Sequence, residues 1–265
     1  MARIVIGSSG FIGSRLCASL GATGVDRNTV DLTEPSAKNI LAPLVSGKAC
    51  VFCANTDPAV EGWDRAKDRK ILEPFLAVAN SCAHITYLSS DMVYPYDELI
   101  TERTDVDPDS SYGKLHLERE SALYDKVGDK LLIARLSQVY GAGDTHNAYG
   151  PCRMVRQALE GGPIVVKGKG EERRDHIHIR DVVAILADLI DHEVTGILNV
   201  ATGSSLSFLE VANKAHDVLR SSIEYEERQV PIKHRDFDIS RLLEVCPWYK
   251  PSPMSFDDMI ENHHG

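Results

Sequence analysis

Several features that would place a chain of 265 residues in a special class are missing from this sequence. No apolar run approaches the roughly 20 residues that a membrane-spanning helix needs, and the opening residues MARIVIGSSG do not form a signal-peptide pattern. Basic residues are outnumbered, 29 Lys and Arg against 39 Asp and Glu, which argues against a nucleic-acid-binding surface. We therefore expect a protein that acts on neither membranes nor nucleic acids.

The six cysteines lack the spacing of a disulfide framework. Cys50 and Cys53 form a C-x-x-C, but it lies inside the apolar run ACVFCA. In a strand, residues three apart point to opposite faces, so this pair is poorly placed for a metal or a redox couple. We predict buried structural thiols, no metal site and a reducing cytoplasm as the compartment.

The first two thirds of the chain alternate between short β-branched runs and longer amphipathic segments. RIVIG, ATGVD, ACVFCA, HITYLSS and KLLIARLS read as strands, and FIGSRLCASL and EPSAKNILAPLV read as helices. Residues 64–81 and 112–126 also read as helical, with a break expected at Pro74. Such alternation predicts an α/β fold, a Rossmann-like doubly wound parallel sheet covered on both faces.

The pattern changes after Gly141. CRMVRQALE, RDVVAILADLIDH and SFLEVANKAHDVLR read as helices, PIVVKG and GILNVA as strands, and the tail as irregular. We predict a dinucleotide-binding domain over residues 1–145 and a smaller, partly interwoven substrate lobe over residues 146–265.

The stretch GSSGFIG places Gly7, Gly10 and Gly13 where the first strand meets the first helix. Glycines there allow a tight turn, a close approach of the backbone to a pyrophosphate, and close packing of helix on sheet. Asp26 stands thirteen residues past Gly13, at the end of the next strand. A carboxylate there can hold both hydroxyls of an adenosine ribose, and the alternative is an aspartate that only shapes a turn.

These motifs, taken with others, resemble the extended short-chain dehydrogenase/reductases, the NAD(P)-dependent nucleotide-sugar epimerases, dehydratases and reductases. The resemblance covers nearly the whole length. GSSGFIG resembles the cofactor loop, DLTEP the adenine-contacting segment, and CAN the cofactor-lining small residues. YLSSDMVY and SSYGK resemble the segments with the catalytic serine and tyrosine. RLSQVYGAGD, RRDHIHIRDV and NVATGSSLSFLE resemble hallmarks of the nucleotide-sugar side.

The resemblance implies a role for particular residues. NAD is the expected cofactor because of Asp26, and the adjacent Arg27 makes NADP the alternative. The implied cofactor contacts are Gly7, Gly10, Phe11, Ile12, Gly13, Asp26, Arg27, Asp31, Leu32, Ala54, Asn55, Tyr112 and His116. The implied substrate contacts are Ser90, Gln138, Asn147, Arg174 and Arg235, with Arg173 an alternative to Arg174.

The implied catalytic residues are Ser90, Tyr112, His116 and Asp91. In the family, the serine binds the reacting sugar oxygen while the tyrosine exchanges that oxygen's proton. Asp91 matches the acid of the 4,6-dehydratases, but those enzymes place a glutamate next and this chain has Met92. We therefore rank dehydration below epimerisation or keto reduction. The short chain after the second strand favours the compact 4-keto reductases.

Two positions depart from the family pattern. The family's Y-x-x-x-K has a lysine where this chain has His116, and Lys114 lies on another face of the helix. An imidazole with an ordinary pKa near 6.5 would be only partly charged. The stretch DRKILEP has Arg69 or Lys70 where the family commonly has an asparagine. The sequence thus predicts an NAD(P)-dependent enzyme acting on a nucleotide-activated sugar, as a homodimer, with a cofactor-binding protein without turnover as the alternative.

Overall fold

The computed structural model of the protein describes residues 1–56, 63–96, 99–144 and 150–263. Its strands are β1 Arg3–Ile6, β2 Thr23–Val25, β3 Ala49–Phe52, β4 His84–Ser90, β5 Leu99–Ile100, β6 Leu131–Leu136, β7 Gln138–Tyr140, β8 Ile164–Lys167, β9 Arg173–Arg174, β10 His176–His178, β11 Gly196–Val200, β12 Leu206–Ser207, β13 Ile223–Glu226 and β14 Asp236–Phe237. Its α-helices are α1 Phe11–Leu20, α2 Ala37–Val45, α3 Arg65–Ile71, α4 Glu73–Val78, α5 Ser111–Val127, α6 Gly150–Leu159, α7 Ile179–Asp191, α8 Phe208–Leu219, α9 Ser240–Val245 and α10 Asp257–His263. Single 3-10 turns cover Ala79–Ser81, Asp91–Val93 and Gly128–Lys130.

A six-stranded parallel sheet forms the centre of the molecule. Its strand order is β11-β6-β4-β3-β1-β2, so the chain reverses direction across the sheet between β1 and β3. Between β2 and β3, residues 26–48 are all described and contain helix α2 but no strand. No strand from this segment pairs with β2, which is therefore the edge strand of the sheet. In open parallel sheets, ligands bind outside the carboxyl ends of the strands at such a reversal. The predicted α/β class is confirmed.

Helices cover both faces of this sheet, because its strands are apolar on both sides. All four residues of β3 are buried, including Cys50 of the C-x-x-C. One core contains Leu16 of α1 and Ile185 of α7, and the other contains Leu41 of α2 and Phe75 of α4. The expected helix break near Pro74 is confirmed, since α3 ends at Ile71 and α4 begins at Glu73.

The second part of the chain builds a smaller core and then returns to the sheet. Helix α6 packs on α8 over the parallel pair of β8 and β13, whereas α7 and β11 join the large sheet. The division at residue 145 stays a prediction. The tail predicted as irregular in fact contains β13, β14, α9 and α10, whose short apolar patterns find partners only in the folded chain.

No helix among the described residues has both the length and the apolar character of a membrane span. In the same part of the chain, no cluster of three or more His, Cys, Asp or Glu side chains could hold a metal ion.

Candidate active site

The loop between β1 and α1 is shaped for a close-approaching ligand. Gly7 has a φ of +98°, and a Cβ there would lie 2.7 Å from the backbone nitrogen of Ala54. A Cβ at Gly13 would collide with the carbonyl oxygen of Gly7, so α1 packs directly on the loop. Helix α1 begins at Phe11, Gly10 offers it no side-chain cap, and its first turn has no acid. These features fit a dinucleotide, whose pyrophosphate would bind the N–H groups that begin α1.

Asp26 follows β2, as predicted, and also shapes the turn there. Its Oδ1 accepts hydrogen bonds from Thr29 N and Thr29 Oγ1, both at 2.8 Å, and these bonds lower the pKa of Asp26. Both of these bonds fall on Oδ1, and a contact between Asp26 and a ribose stays a prediction. The Arg27 side chain is 82% exposed and forms an ion pair with Asp31 at 3.6 Å. Leu32 packs against the core beneath the turn.

We expect NADH to bind this protein at least about tenfold more tightly than NADPH, a difference of about 1.4 kcal/mol. An ionised Asp26 accepts ribose hydroxyls but repels a 2′-phosphate. Parallel fluorescence titrations with the two reduced cofactors measure the ratio. Asp26→Asn should reduce the ratio between the two Kd values. Arg27→Ala should weaken the binding of NADPH and leave that of NADH unchanged. A tighter Kd for NADPH would contradict the prediction.

Tyr112 lies in the first turn of α5. That helix starts at its N-cap Ser110, whose Oγ accepts a hydrogen bond from Gly113 N at 3.0 Å. A Cβ at Gly113 would collide with the carbonyl oxygen of Met92, so only glycine lets α5 sit this close to the turn after β4. Tyr112 and Ser90 thereby line one cavity of about 660 Å³. Gly10 and Gly13 of residues 7–13, which we call the glycine loop, line the same cavity.

The hydroxyl of Tyr112 belongs to a chain of polar contacts. Asn55 Nδ2 donates to Tyr112 Oη at 3.2 Å and lies 3.5 Å from His116 Nε2. His116 Nδ1 lies 2.7 Å from Tyr87 Oη. The Tyr112 and His116 rings meet edge to face with centroids 4.5 Å apart, while Lys114 is exposed. The helical spacing therefore predicted the right pair of neighbours.

His116 is uncharged in this environment. The side chain is 3% exposed, and burial, followed by the charge of Arg119, lowers its pKa to about 3. The expectation that His116 is partly charged at neutral pH is therefore wrong, because the burial of its helix face was not visible in the sequence. A neutral ring cannot supply the permanent charge of a lysine. A role for His116 in catalysis or cofactor binding stays a prediction.

We expect the free energy of unfolding to fall as the pH is lowered from about 6.5 toward 3. Burial also lowers the pKa of His176 to about 3, with Arg174 adding to the effect. In the unfolded chain, both His116 and His176 titrate near 6.5, so the unfolded state binds more protons in this window. Urea unfolding at several pH values measures the slope. His176→Phe should reduce this slope, whereas His192→Phe, at an exposed side chain, serves as the control. Equal slopes in the wild-type protein and in both variants would contradict the prediction.

Asp91 and Arg235 form a buried ion pair beside Ser90. Arg235 Nη1 lies 3.1 Å from Asp91 Oδ2, and its Nη2 donates to Tyr94 O at 3.0 Å. The Arg235 guanidinium also lies 4.1 Å from the ring centroid of Tyr96. Ser90 Oγ donates to Asp91 Oδ1 at 3.3 Å. Both carboxylate oxygens of Asp91 therefore have protein partners, and Arg235 is 1% exposed.

A second cavity, of about 290 Å³, adjoins the first and is rich in cations. Among the described residues that line it, Arg153, Lys167, Arg174 and Arg228 are basic and Glu172 is the one carboxylate. Arg174 is 8% exposed and pairs with Glu172, and Arg228 Nη1 lies 2.6 Å from Glu172 Oε2. Arg173 does not line this cavity and pairs instead with an exposed aspartate. This excess of positive charge suits a diphosphate.

Gln138 and His176 face each other across the parallel pair of β7 and β10, and both line the larger cavity. Gln138 Oε1 and both ring nitrogens of His176 are buried and have no hydrogen-bond partner in the described part of the chain. Burying such atoms without a partner costs about 1–3 kcal/mol each. Their position makes them candidates to bind polar groups of a ligand.

The residues of this region that escaped the sequence interpretation include His176, Arg119, Asp68, Arg228 and Glu172. The spacing of Tyr112 and Arg119 on one helix, seven residues apart, was a readable signal for Arg119. Asp68 is the buried residue of α3, whereas Arg69 and Lys70, which stand where the family commonly has an asparagine, are exposed. No local signal pairs Asp68 with Arg119. Asn147, a predicted substrate contact, lies outside the described residues.

Two curated relatives have nucleotide-sugar names. The chain is 29% identical over 256 residues to the ADP-L-glycero-D-manno-heptose-6-epimerase of Alkalilimnicola ehrlichii, covering 81% of this chain and 80% of that protein. It is 27% identical over 138 residues to the UDP-N-acetyl-alpha-D-glucosaminuronate decarboxylase of Bacillus cytotoxicus, covering 48% of this chain. The chain spans 43% of the length of that decarboxylase.

The fold and a family model agree with these relatives. The structure of MoeE5 in complex with UDP-glucuronic acid and NAD superimposes with a TM-score of 0.79 at 20% identity, covering 100% of this chain and 99% of that one. The model of the NAD dependent epimerase/dehydratase family matches residues 3–201. The match confirms the predicted family, and the family's description agrees with the predicted NAD cofactor. With the glycine loop, Ser90 and Tyr112 converging on one cavity, the chain belongs to the NAD dependent epimerase/dehydratase family.

Proposed function

We propose that this protein transfers a hydride between NAD(P) and the sugar of a sugar nucleotide, as an epimerase or a keto reductase. One observation carries the proposal: a single cavity is lined by the glycine loop and by both Ser90 and Tyr112. A cofactor seated on the loop would share that space with the group that Tyr112 protonates. The cationic cavity next to it gives a nucleotide diphosphate a place to bind.

The bound cofactor would supply or accept the hydride at the reacting sugar carbon. Ser90 would turn its hydroxyl proton from Asp91 to the oxygen on that carbon and hold this oxygen beside Tyr112. In a reduction, Tyr112 Oη gives its proton to this oxygen, and in an oxidation it takes the proton away. Asn55 fixes the direction of the phenol through its hydrogen bond to Oη.

The substrate would extend from one cavity into the other. Arg174 and Arg228 would bind the diphosphate, with Glu172 holding the two guanidinium groups in place until it arrives. Gln138 and His176 would bind hydroxyl groups of the sugar, because their buried polar atoms need partners. A neutral imidazole has one donor and one acceptor, which matches a hydroxyl group.

Dehydration is less well supported. The acid that expels water would be Asp91, but its carboxylate already pairs with Arg235 and accepts from Ser90. The next residue, Met92, has no acid to offer, and its sulfur contacts Arg235 at 3.1 Å. These contacts favour hydride transfer without loss of water.

The competing possibility is a family member that binds the cofactor without turnover. Thermal-shift screening of UDP-, GDP- and dTDP-sugars would find the ligand, and deuterium exchange between labelled NADH and the corresponding keto-sugar nucleotide would test catalysis. We expect exchange in the wild-type protein. Tight NADH binding with no exchange on any sugar nucleotide would favour the non-catalytic alternative.

We also propose that the protein works as a homodimer in the cytoplasm. The family resemblance supports the dimer, and light scattering on the purified protein would measure it. The six cysteines, all free thiols, support a reducing compartment.

A further inference from the structure

A buried positive charge lies close behind Tyr112. Arg119 is 2% exposed and lies on α5, on the helix face that also presents Tyr112 and His116. Its Nη1 donates to Asn55 Oδ1 at 3.3 Å and to Ala54 O at 3.4 Å. The other end of the Asn55 amide, Nδ2, donates to Tyr112 Oη at 3.2 Å. One side-chain amide therefore connects the guanidinium to the phenol.

We propose that Arg119, acting through Asn55, is the positioning residue that supplies Tyr112 with the permanent positive charge missing at position 116. This inference rests on the proposed role of Tyr112. A guanidinium that donates to the amide oxygen polarises the amide and strengthens the N–H on its other side. That N–H points at Oη, so it stabilises the phenolate more than the phenol and favours loss of the proton.

Arg119 is itself held by Asp68, which is completely buried. Arg119 Nη2 lies 3.1 Å from Asp68 Oδ1, and the same carboxylate accepts from Thr56 N and Trp63 Nε1, both at 3.3 Å. The Arg119 guanidinium donates to Asn55 through Nη1, whereas the Asp68 carboxylate accepts from Nη2. The cation is therefore the charge that faces the amide.

Four other ionisable side chains near the phenol, all in the described part of the chain, do not provide this charge. His116 is neutral, and burial raises the pKa of Tyr87, so that phenol is neutral as well. Asp91 lines the cavity from the end of β4 and is paired with Arg235. Asp144 lines the cavity from the loop after β7, and its carboxyl group cannot supply a positive charge. Arg119, by contrast, is a cation that hydrogen bonds connect to Oη through Asn55.

The test is a pH titration of Tyr112 in the substrate-free protein. Tyrosine labelled with ¹³C at Cζ gives one NMR signal per residue, and Tyr112→Phe identifies the signal of Tyr112. The double variant Arg119→Met/Asp68→Asn removes both charges of the pair and leaves no unpaired buried charge. We expect its Tyr112 midpoint to move upward by about one pH unit or more.

Two further variants separate charge from structural damage. Asp68→Asn alone keeps the cation, so its midpoint should stay or move downward, opposite to the double variant. Asn55→Leu removes the amide that connects Arg119 to Tyr112 and leaves the ion pair of Arg119 and Asp68 intact. The titration midpoint of Tyr112 should therefore move upward in this variant. If near-ultraviolet circular dichroism shows that the double variant does not fold, Arg119→Gln/Asp68→Asn, which also removes both charges but keeps polar side chains, replaces it with the same expected shift. An unchanged midpoint in folded Asn55→Leu, or an upward shift in Asp68→Asn, would overturn the proposal. Because the titration needs no substrate, a failure to find hydride exchange would not affect it.

Discussion

Replacing Tyr112 with phenylalanine is expected to lower the turnover number by about 10²–10⁴-fold, the usual contribution of a general acid or base. The phenyl ring keeps its contact with His116, so the helix face stays filled and only the exchangeable proton is lost. The Kd for NADH should change little, because the glycine loop is untouched. Stopped-flow measurement of hydride transfer, beside equilibrium titration of NADH, tests both statements.

Tyr124→Phe is the matched control for this substitution. Tyr124 lies on the same helix but is 60% exposed, so its hydroxyl is remote from the cavity and its loss should leave turnover unchanged. Full activity in Tyr112→Phe would end the assignment of Tyr112 as the acid/base. Lost activity together with lost NADH binding would indicate a structural role instead.

Replacing Arg174 with alanine is expected to raise the Kd for the nucleotide sugar by about ten- to a hundredfold. A hydrogen bond to a charged group contributes about 1.5–3 kcal/mol, and the cavity loses one such guanidinium. Glu172 keeps its bond to Arg228, so this half-buried carboxylate still has a cationic partner. Isothermal titration with the ligand found by screening measures the change.

The neighbouring Arg173 provides the control for Arg174. Its side chain is 44% exposed and pairs with Asp236, so Arg173→Ala should change the Kd by less than about threefold. The opposite result, a loss of affinity in Arg173→Ala alone, would show that the family motif is aligned one residue out. If neither substitution mattered, the diphosphate would not bind in this cavity.

Local patterns in the sequence predicted most of the regular structure. The helix predicted from FIGSRLCASL coincides with α1, because an apolar stripe, a glycine before it and Gly21 after it are all local signals. The tail was different. Its strand β13 pairs with β8, about sixty residues earlier, and no local pattern reports such a pairing.

The candidate site divides in the same way. Ser90, Tyr112 and the glycine loop were found because each belongs to a short motif, and the structure places them in one cavity. His116 was found at the right position but given the wrong charge, since its charge depends on burial. Arg235 forms a buried ion pair with Asp91 that no local pattern indicates, and its predicted contact with the substrate stays a prediction.

By itself, the sequence determined the family, the α/β class and the residues whose spacing along one strand or helix carries chemistry. Hydrophobic periodicity and glycine placement are properties of residues close together in the sequence, so they can be recognised without the tertiary structure. Only the tertiary structure decided the electrostatics of the site: that His116 is neutral, that Asp91 is paired, and that Arg119 reaches Tyr112 through Asn55. These facts depend on desolvation and on contacts between residues more than fifty positions apart, which exist only after the sheet and α5 have packed together.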